Sequence, residues 1–362
     1  MAALAVFAAL AVSTKYFASL GRRPEGERLE RLKRSAQWGD AGFVNRQPTK
    51  LMRPGSMVET FRRQFFGGER REPARAVPVV FRSPGDFATP SASGLRVTWL
   101  GHASSFVELG GARVLFDPVF SERCSPSFLV GPRRFHPPPI SAEDLPLPDA
   151  VVISHDHYDH LDMGSIRTLA ERGAKFFVPL GIGAHLDRWG VAPDRIVELD
   201  WGETATVGPL TLTALPARHY SGRLPWRQNE TLWASWSAAA NGKRVYFSGD
   251  TGLSDLFRAI GEKQGPFDLC LMKIGAYGET WPDIHMTPEE TVEAYARLGG
   301  GLLVPVHWAT FNLAFHEWGE PADRFVAAME KSSVAGARWF VPKPGEMVDV
   351  AAPPKQAIWW RP

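Results

Sequence analysis

The chain has 362 residues, 44% hydrophobic and 22% charged, enough for one large folded domain or two modest ones. A formal net charge of +2 is too small to argue for nucleic-acid binding. Two cysteines exclude a disulfide framework and a thiolate-rich zinc centre, so any metal must be held by imidazole and carboxylate, for which ten histidines are available.

Residues 1–25 form an apolar amino-terminal segment in which Lys15 is the first charged side chain. Spanning a bilayer takes about 20 apolar residues, so the length is marginal. No basic residue opens the segment as a secretory signal would require. Arg22, Arg23, Arg28, Arg31, Lys33 and Arg34 follow it, which under the positive-inside rule places the main body on the cytoplasmic side. One reading is a membrane anchor or interfacial helix. The other is a cleaved leader or unstructured start, with a periplasmic or exported body as the variant. Residues 26–94 are rich in Arg, Pro and Gly without sustained periodicity and read as an extended arm wrapping a domain, or as linker. Arg62, Arg63, Arg70 and Arg71 with Phe61, Phe65 and Phe66 suit an anionic lipid surface, or a solvated arm with aromatic plugs.

From Leu95 the texture changes. Leu95 to Leu100, Val114 to Phe116, Ala150 to Ile153, Lys175 to Val178, Leu210 to Leu215, Arg244 to Phe247, Leu269 to Met272 and Leu302 to Val306 read as strands. Thr287, Pro288 and Glu290 supply an N-cap, an N1 proline and a capping-box glutamate for a helix to Leu298, stopped at Gly299 to Gly301. Strands mixed with covering helices predict a layered α/β sandwich over 95–350, with a tail at 351–362. Cys270, inside an apolar run, reads as a buried small hydrophobe.

The densest chemical signal is Ser154-His-Asp-His-Tyr-Asp-His-Leu-Asp162, directly after a strand. His155, His157, Asp159 and His160 fall within six positions, and a turn there can aim two pairs of ligands at two points. His219, Asp250 and His307 each follow the carboxyl end of another strand, where ligand sites in open α/β sheets gather. A lone His or Asp in a turn is more often a cap; together, behind the dense motif, these read as ligands.

The pattern resembles the metallo-β-lactamase superfamily, and within it the branch of N-acyl-phosphatidylethanolamine-hydrolysing phospholipases D. Thr98-Trp-Leu-Gly-His-Ala103, Phe116-Asp-Pro-Val-Phe-Ser121, Gly131-Pro-Arg-Arg-Phe135, the metal motif, Gly249-Asp-Thr-Gly252, Ile274-Gly-Ala-Tyr277 and His307-Trp308 carry the likeness, which spans Leu95 to Met347. The resemblance implies a four-layer αββα sandwich with two Zn2+ ions at one edge, Mn2+ or Fe2+ being alternatives. It places one ion on His155, His157 and His219, the other on Asp159, His160 and His307, and Asp250 between them. His157 stands where oxygen-reducing di-iron relatives carry a carboxylate. The segment Arg218 to Trp226 and the arm depart from the branch, which leaves the head group open.

Paired divalent ions acidify water and steady both entering and leaving oxygens. The expected catalytic residues are Asp159, Asp250 and His285, with Asp159 also orienting or deprotonating the attacking water. His285 and Tyr158 are expected to contact substrate; their bland alternatives are helix packing and a ring beneath the loop. His102 is expected to hydrogen-bond a ligand carboxylate. His136, His185 and His316 lack ligand spacing. The expected partners are a phospholipid substrate and a membrane surface, and a homodimer is compatible. The leading expectation is a phospholipase D-type phosphodiesterase releasing N-acylethanolamine and phosphatidic acid. Its rivals are a lactonase or ester hydrolase of the same fold and a metal-stabilised binding module.

Overall fold

A computed structural model describes residues 14–332, 334 and 336–361; the expectations for residues 1–13 and for the Phe65 side chain lie outside the described residues. Two seven-stranded sheets stack face to face. The first runs β14 (Met347–Asp349), β1 (Leu95–Gly101), β2 (Ser104–Leu109), β3 (Ala112–Phe116), β4 (Ala150–Val152), β5 (Phe176–Pro179) and β6 (Ile196–Leu199). The second runs β13 (Arg338–Trp339), β12 (Leu302–Val306), β11 (Leu269–Lys273), β10 (Lys243–Phe247), β9 (Ser235–Ala240), β8 (Leu210–Leu215) and β7 (Thr204–Val207).

The period-two alternation of side chains explains the layering. In the first sheet Trp99, Val114, Phe116, Val152 and Phe177 point inward and join Leu212, Trp236, Val245, Phe247 and Leu271 of the second in one buried core. Phe116 and Phe247 meet across the sandwich with ring centroids 4.7 Å apart. The intervening residues Leu115, Val151, Ile153, Phe176 and Val178 point outward, under Ile166 and Leu169 of α3 (Met163–Glu171) and Leu186 of α4 (Gly183–Arg188). Each such side chain contributes about 1.5–3 kcal/mol on burial. On the outside of the second sheet lie α5 (Leu256–Gln264), α6 (Pro288–Leu298) and α7 (Glu320–Lys331), which bury Phe257, Tyr295 and Phe325. The chain is thus an αββα sandwich. Both halves of the capping box at Thr287 and Glu290 form, and α6 ends at Gly299 with φ 91°. Cys270 is fully buried in the core.

The arm differs from the extended reading. It contains α1 (Gly26–Lys33) and α2 (Met57–Phe66). Both are too short for their periodicity to stand out, and α1 buries only Leu32. Trp201, Trp233, Trp236 and Trp308 are buried, whereas Trp226 is 76% exposed. Among the described residues no helix is long and apolar enough to cross a membrane.

Candidate metal centre

Parallel pairing of β3 with β4 brings the residues just past both strand ends together. Asp117 thereby meets Ser154: its Oδ1 accepts the Ser154 backbone N–H at 2.6 Å and its Oδ2 the Ser154 hydroxyl at 2.6 Å. Asp117 is fully buried, and its Oδ2 also lies 2.6 Å from His160 Nδ1. This pairing fixes the proton on Nδ1 and turns Nε2 toward the site. Trp236 Nε1 donates to the Ile153 carbonyl at 2.9 Å and pins the other side of the loop. The loop closes at α3, whose N-cap Asp162 accepts the Ser165 N–H at 3.0 Å. Gly249, with φ 52°, lies so close that a Cβ there would stand 2.6 Å from Ser154 Cβ; the turn carrying Asp250 therefore needs glycine.

The seven sequence-predicted ligands come together in two overlapping clusters. His155 Nε2 lies 2.8 Å from His157 Nδ1, and His219 Nε2 lies 3.4 Å from the same atom. Nitrogens about 2.0–2.1 Å from one tetrahedral ion are separated by roughly 3.4 Å, the spacing of the His157–His219 pair, while His155 and His157 stand closer at 2.8 Å. In the second cluster His307 Nε2 is 3.3 Å and His160 Nε2 3.5 Å from Asp159 Oδ2. Asp250 stands between the clusters. Its Oδ2 is 3.2 Å from His160 Nε2, 3.9 Å from His155 Nε2 and 3.8 Å from His219 Nε2, and its Oδ1 is 3.1 Å from His307 Nε2.

The donor set fits divalent metal. His160 Nε2, His307 Nε2 and Asp250 Oδ1 are buried and have no hydrogen-bond partner, an arrangement that costs energy unless a cation takes up the lone pairs. Burial pushes His219 down to about 3 and His155 well below its ordinary value, leaving both neutral as ligation requires. Burial alone would raise the two carboxyls. His160 and His102 nevertheless hold Asp159 well below the usual range, and His307 and His160 do the same for Asp250. Burial also pushes His160 down, but Asp250, Asp159 and Asp117 outweigh it and drive it up. The pocket is short of positive charge.

Around this centre, His102 Nε2 lies 2.9 Å from Asp159 Oδ2. His285 faces the site with Nδ1 3.8 Å from Asp250 Oδ2, buried and unpartnered. Burial, aided by Lys273, keeps that imidazole well below its ordinary range. Tyr158 points away: its hydroxyl donates to the Arg223 carbonyl at 2.9 Å, and the Arg223 guanidinium lies 3.9 Å over its ring. His136, His185 and His316 fall outside the clusters, bonded to the Pro137 carbonyl, the Asp156 carboxylate and the Ala276 N–H.

Sequence reasoning missed two residues here. Asp117 lies inside the Phe116 to Ser121 motif, where nothing in the sequence signals its contact with His160. Tyr220 sits with its ring centroid 4.5 Å from His157 and 4.9 Å from His219. Its only sequence signal is adjacency to His219.

Residues 112–308 match the family described as "Beta-lactamase superfamily domain". An uncharacterized protein of Mycobacterium tuberculosis is 53% identical over 290 residues, which is 79% of this chain and 77% of that one. The N-acyl-phosphatidylethanolamine-hydrolyzing phospholipase D 1 of Caenorhabditis elegans is 39% identical over 253 residues, 66% of this chain and 71% of that one. Among solved structures, the metallo hydrolase Igni18 of the archaeon Ignicoccus hospitalis superposes with a TM-score of 0.51 at 25% identity, covering 70% of this chain and 97% of its own.

Proposed function

Since this chain belongs to the beta-lactamase superfamily and is a metal-dependent hydrolase, we propose that it cleaves N-acyl-phosphatidylethanolamine-type phospholipids on the phospholipase D side. The observation that carries hydrolysis at a metal centre is the pair of ligand clusters joined through Asp250. The named activity of the nematode relative supports the substrate class. His155, His157 and His219 would hold one ion, Asp159, His160 and His307 the other, and Asp250 would touch both. Zn2+ suits the imidazole and carboxylate donors. Two such ions supply an acidified water and neutralise charge on a phosphodiester.

The chain's own residues do the rest. Asp159, held by His102, orients the attacking water and takes up its proton. His285, neutral and unpartnered at Nδ1, donates a hydrogen bond to a phosphoryl oxygen, and the proton that Asp159 took from water passes to the leaving alkoxide. Tyr220, beside His157, offers substrate a hydroxyl without a hydrogen-bond partner among the described residues. Tyr158 braces the loop from behind, its hydroxyl on Arg223.

Substrate in a bilayer asks for a docking surface. Met57, Val58, Phe61 and Phe66 of α2 are 77%, 80%, 60% and 77% exposed, next to exposed Arg62. Phe128, Leu129 and Val130 form a second exposed apolar tip. These groups suit an anionic leaflet, with the body on its cytoplasmic side.

The test is product analysis of the metal-loaded protein with N-acyl-phosphatidylethanolamine vesicles in 18O water. Attack at phosphorus places one labelled oxygen in phosphatidic acid and leaves the N-acylethanolamine unlabelled. Absence of N-acylethanolamine, with turnover of a lactone panel instead, would transfer the assignment to a lactonase.

A further inference from the structure

The arm lies outside the segment matched by the family, 112–308, and nothing in the catalytic pattern calls for it. Yet Asn45 lies against a ligand. Its Nδ2 donates to the His219 carbonyl at 2.7 Å, and its Oδ1 accepts the His219 N–H at 3.1 Å. One carboxamide thus occupies both backbone groups of His219, as a neighbouring strand would. The His219 ring is fixed separately by Nδ1 against the Ile284 carbonyl at 3.0 Å, which leaves Nε2 for the site.

The arm is anchored where it delivers Asn45. Phe43 is buried, its N–H donates to the Asn229 carbonyl at 2.8 Å, and its ring meets Trp38 edge-on at 5.0 Å. At Gly42 a Cβ would stand 2.5 Å from the Asn229 carbonyl oxygen, so the strap approaches closer than any side chain permits. A few residues on, the arm reaches the loop before His285. Lys50 N–H donates to Asp283 Oδ2 at 2.8 Å. Arg218 ties the same carboxylate at 3.0 Å to the Pro48 carbonyl at 3.0 Å and the Thr49 hydroxyl at 3.1 Å. Residues 45–50 therefore grip the chain next to both His219 and His285.

We infer that the arm is a working part of the metal centre, with Asn45 a positioning residue for His219 and Pro48 to Lys50 holding the Asp283–His285 loop. This rests on the reading of His219 as a ligand. Outer-shell partners of ligands are worth roughly 10–100-fold in metal affinity. Alanine at position 45 strands a buried N–H and frees the backbone; aspartate keeps the acceptor but sets a carboxylate oxygen against the His219 carbonyl.

The test uses the full chain and the metal alone. Zn2+ affinity is measured by chelator competition, and Co2+ absorption reports ligand geometry, for N45A, N45D, the milder N45S, and R46A. Arg46 rests on the Trp201 ring at 5.3 Å and its Nε donates to Gln37 Oε1 at 3.5 Å. The expected result is one Zn2+ equivalent weakened roughly 10–100-fold in N45A and N45D and less in N45S, with an altered Co2+ spectrum and R46A unchanged. Wild-type affinity for both equivalents in N45A and N45S overturns the inference. H219A separates the two levels: if it loses one equivalent while N45A loses none, only the arm's role fails. If H219A keeps both, the ligand assignment fails with it.

Discussion

Replacing Asp117 with asparagine tests how a residue outside the metal motif aims a ligand within it. In the wild type Oδ1 accepts Ser154 N–H, and Oδ2 accepts the Ser154 hydroxyl and His160 Nδ1–H, all at 2.6 Å. In D117N the carbonyl must stay on Ser154 N–H, because two donors cannot face each other. The amide NH2 then points at His160 Nδ1, which has to become an acceptor. His160 would carry its proton on Nε2, the atom that faces Asp250 and Asp159, and in that tautomer it cannot ligate. The expected cost is roughly 10–100-fold in affinity for one metal equivalent, or about 1.4–2.8 kcal/mol. Loss of a charge-assisted bond in a fully buried setting lowers folding stability by a further ~1.5–3 kcal/mol. Elemental analysis after dialysis against graded chelator, with urea unfolding alongside, reads both. A D117N protein that binds both equivalents as tightly as wild type refutes the tautomer argument.

Y220F should raise KM for phospholipid several-fold with little change in kcat if its hydroxyl touches substrate; equal kinetics for Y220F and wild type would leave the ring as packing only. Paired serines at Phe61 and Phe66 should weaken vesicle cosedimentation at least tenfold, since each buried aromatic is worth about 1.5–3 kcal/mol; unchanged partitioning would remove α2 from the docking surface. Burial, aided by Arg134, pushes His136 down to about 4, against about 6.5 unfolded. The unfolded chain therefore binds more protons between those values, so this stabilisation is complete above about pH 6.5 and is lost as pH falls toward and through about 4. Between about pH 7.5 and about pH 5 the loss is about 2 kcal/mol, and H136Q should flatten the urea-unfolding difference by that amount; an unchanged difference would show that His136 does not report on folding.

The strands legible from the sequence are those with runs of Val, Leu, Ile and Phe, such as β4, β11 and β12. By contrast β9, Ser-Trp-Ser-Ala-Ala-Ala, lacks that signature, though it lies inside the second sheet between β8 and β10. Its small side chains leave the pattern silent where packing from both neighbours decides. The helix α6 was legible through its caps because capping is local. The same distinction holds at the site. His155, His157, Asp159 and His160 announce themselves by density, and His219, Asp250 and His307 by following strands. Asp117 and Asn45 do not, because their roles exist only once β3 pairs with β4 and once the arm reaches His219, 174 positions away. Tyr158 is adjacent to two ligands in sequence, yet its side chain leaves the loop on the other side and ends on Arg223.

The central claim is that side chains from separate loops enclose a pair of divalent ions about Asp250. Anomalous diffraction at the zinc edge from Zn2+-loaded crystals tests it most directly. Two peaks are predicted, one among His155, His157 and His219 and one among Asp159, His160 and His307, with Asp250 touching both. No peak there, or a single peak with either trio left bare, would contradict the account.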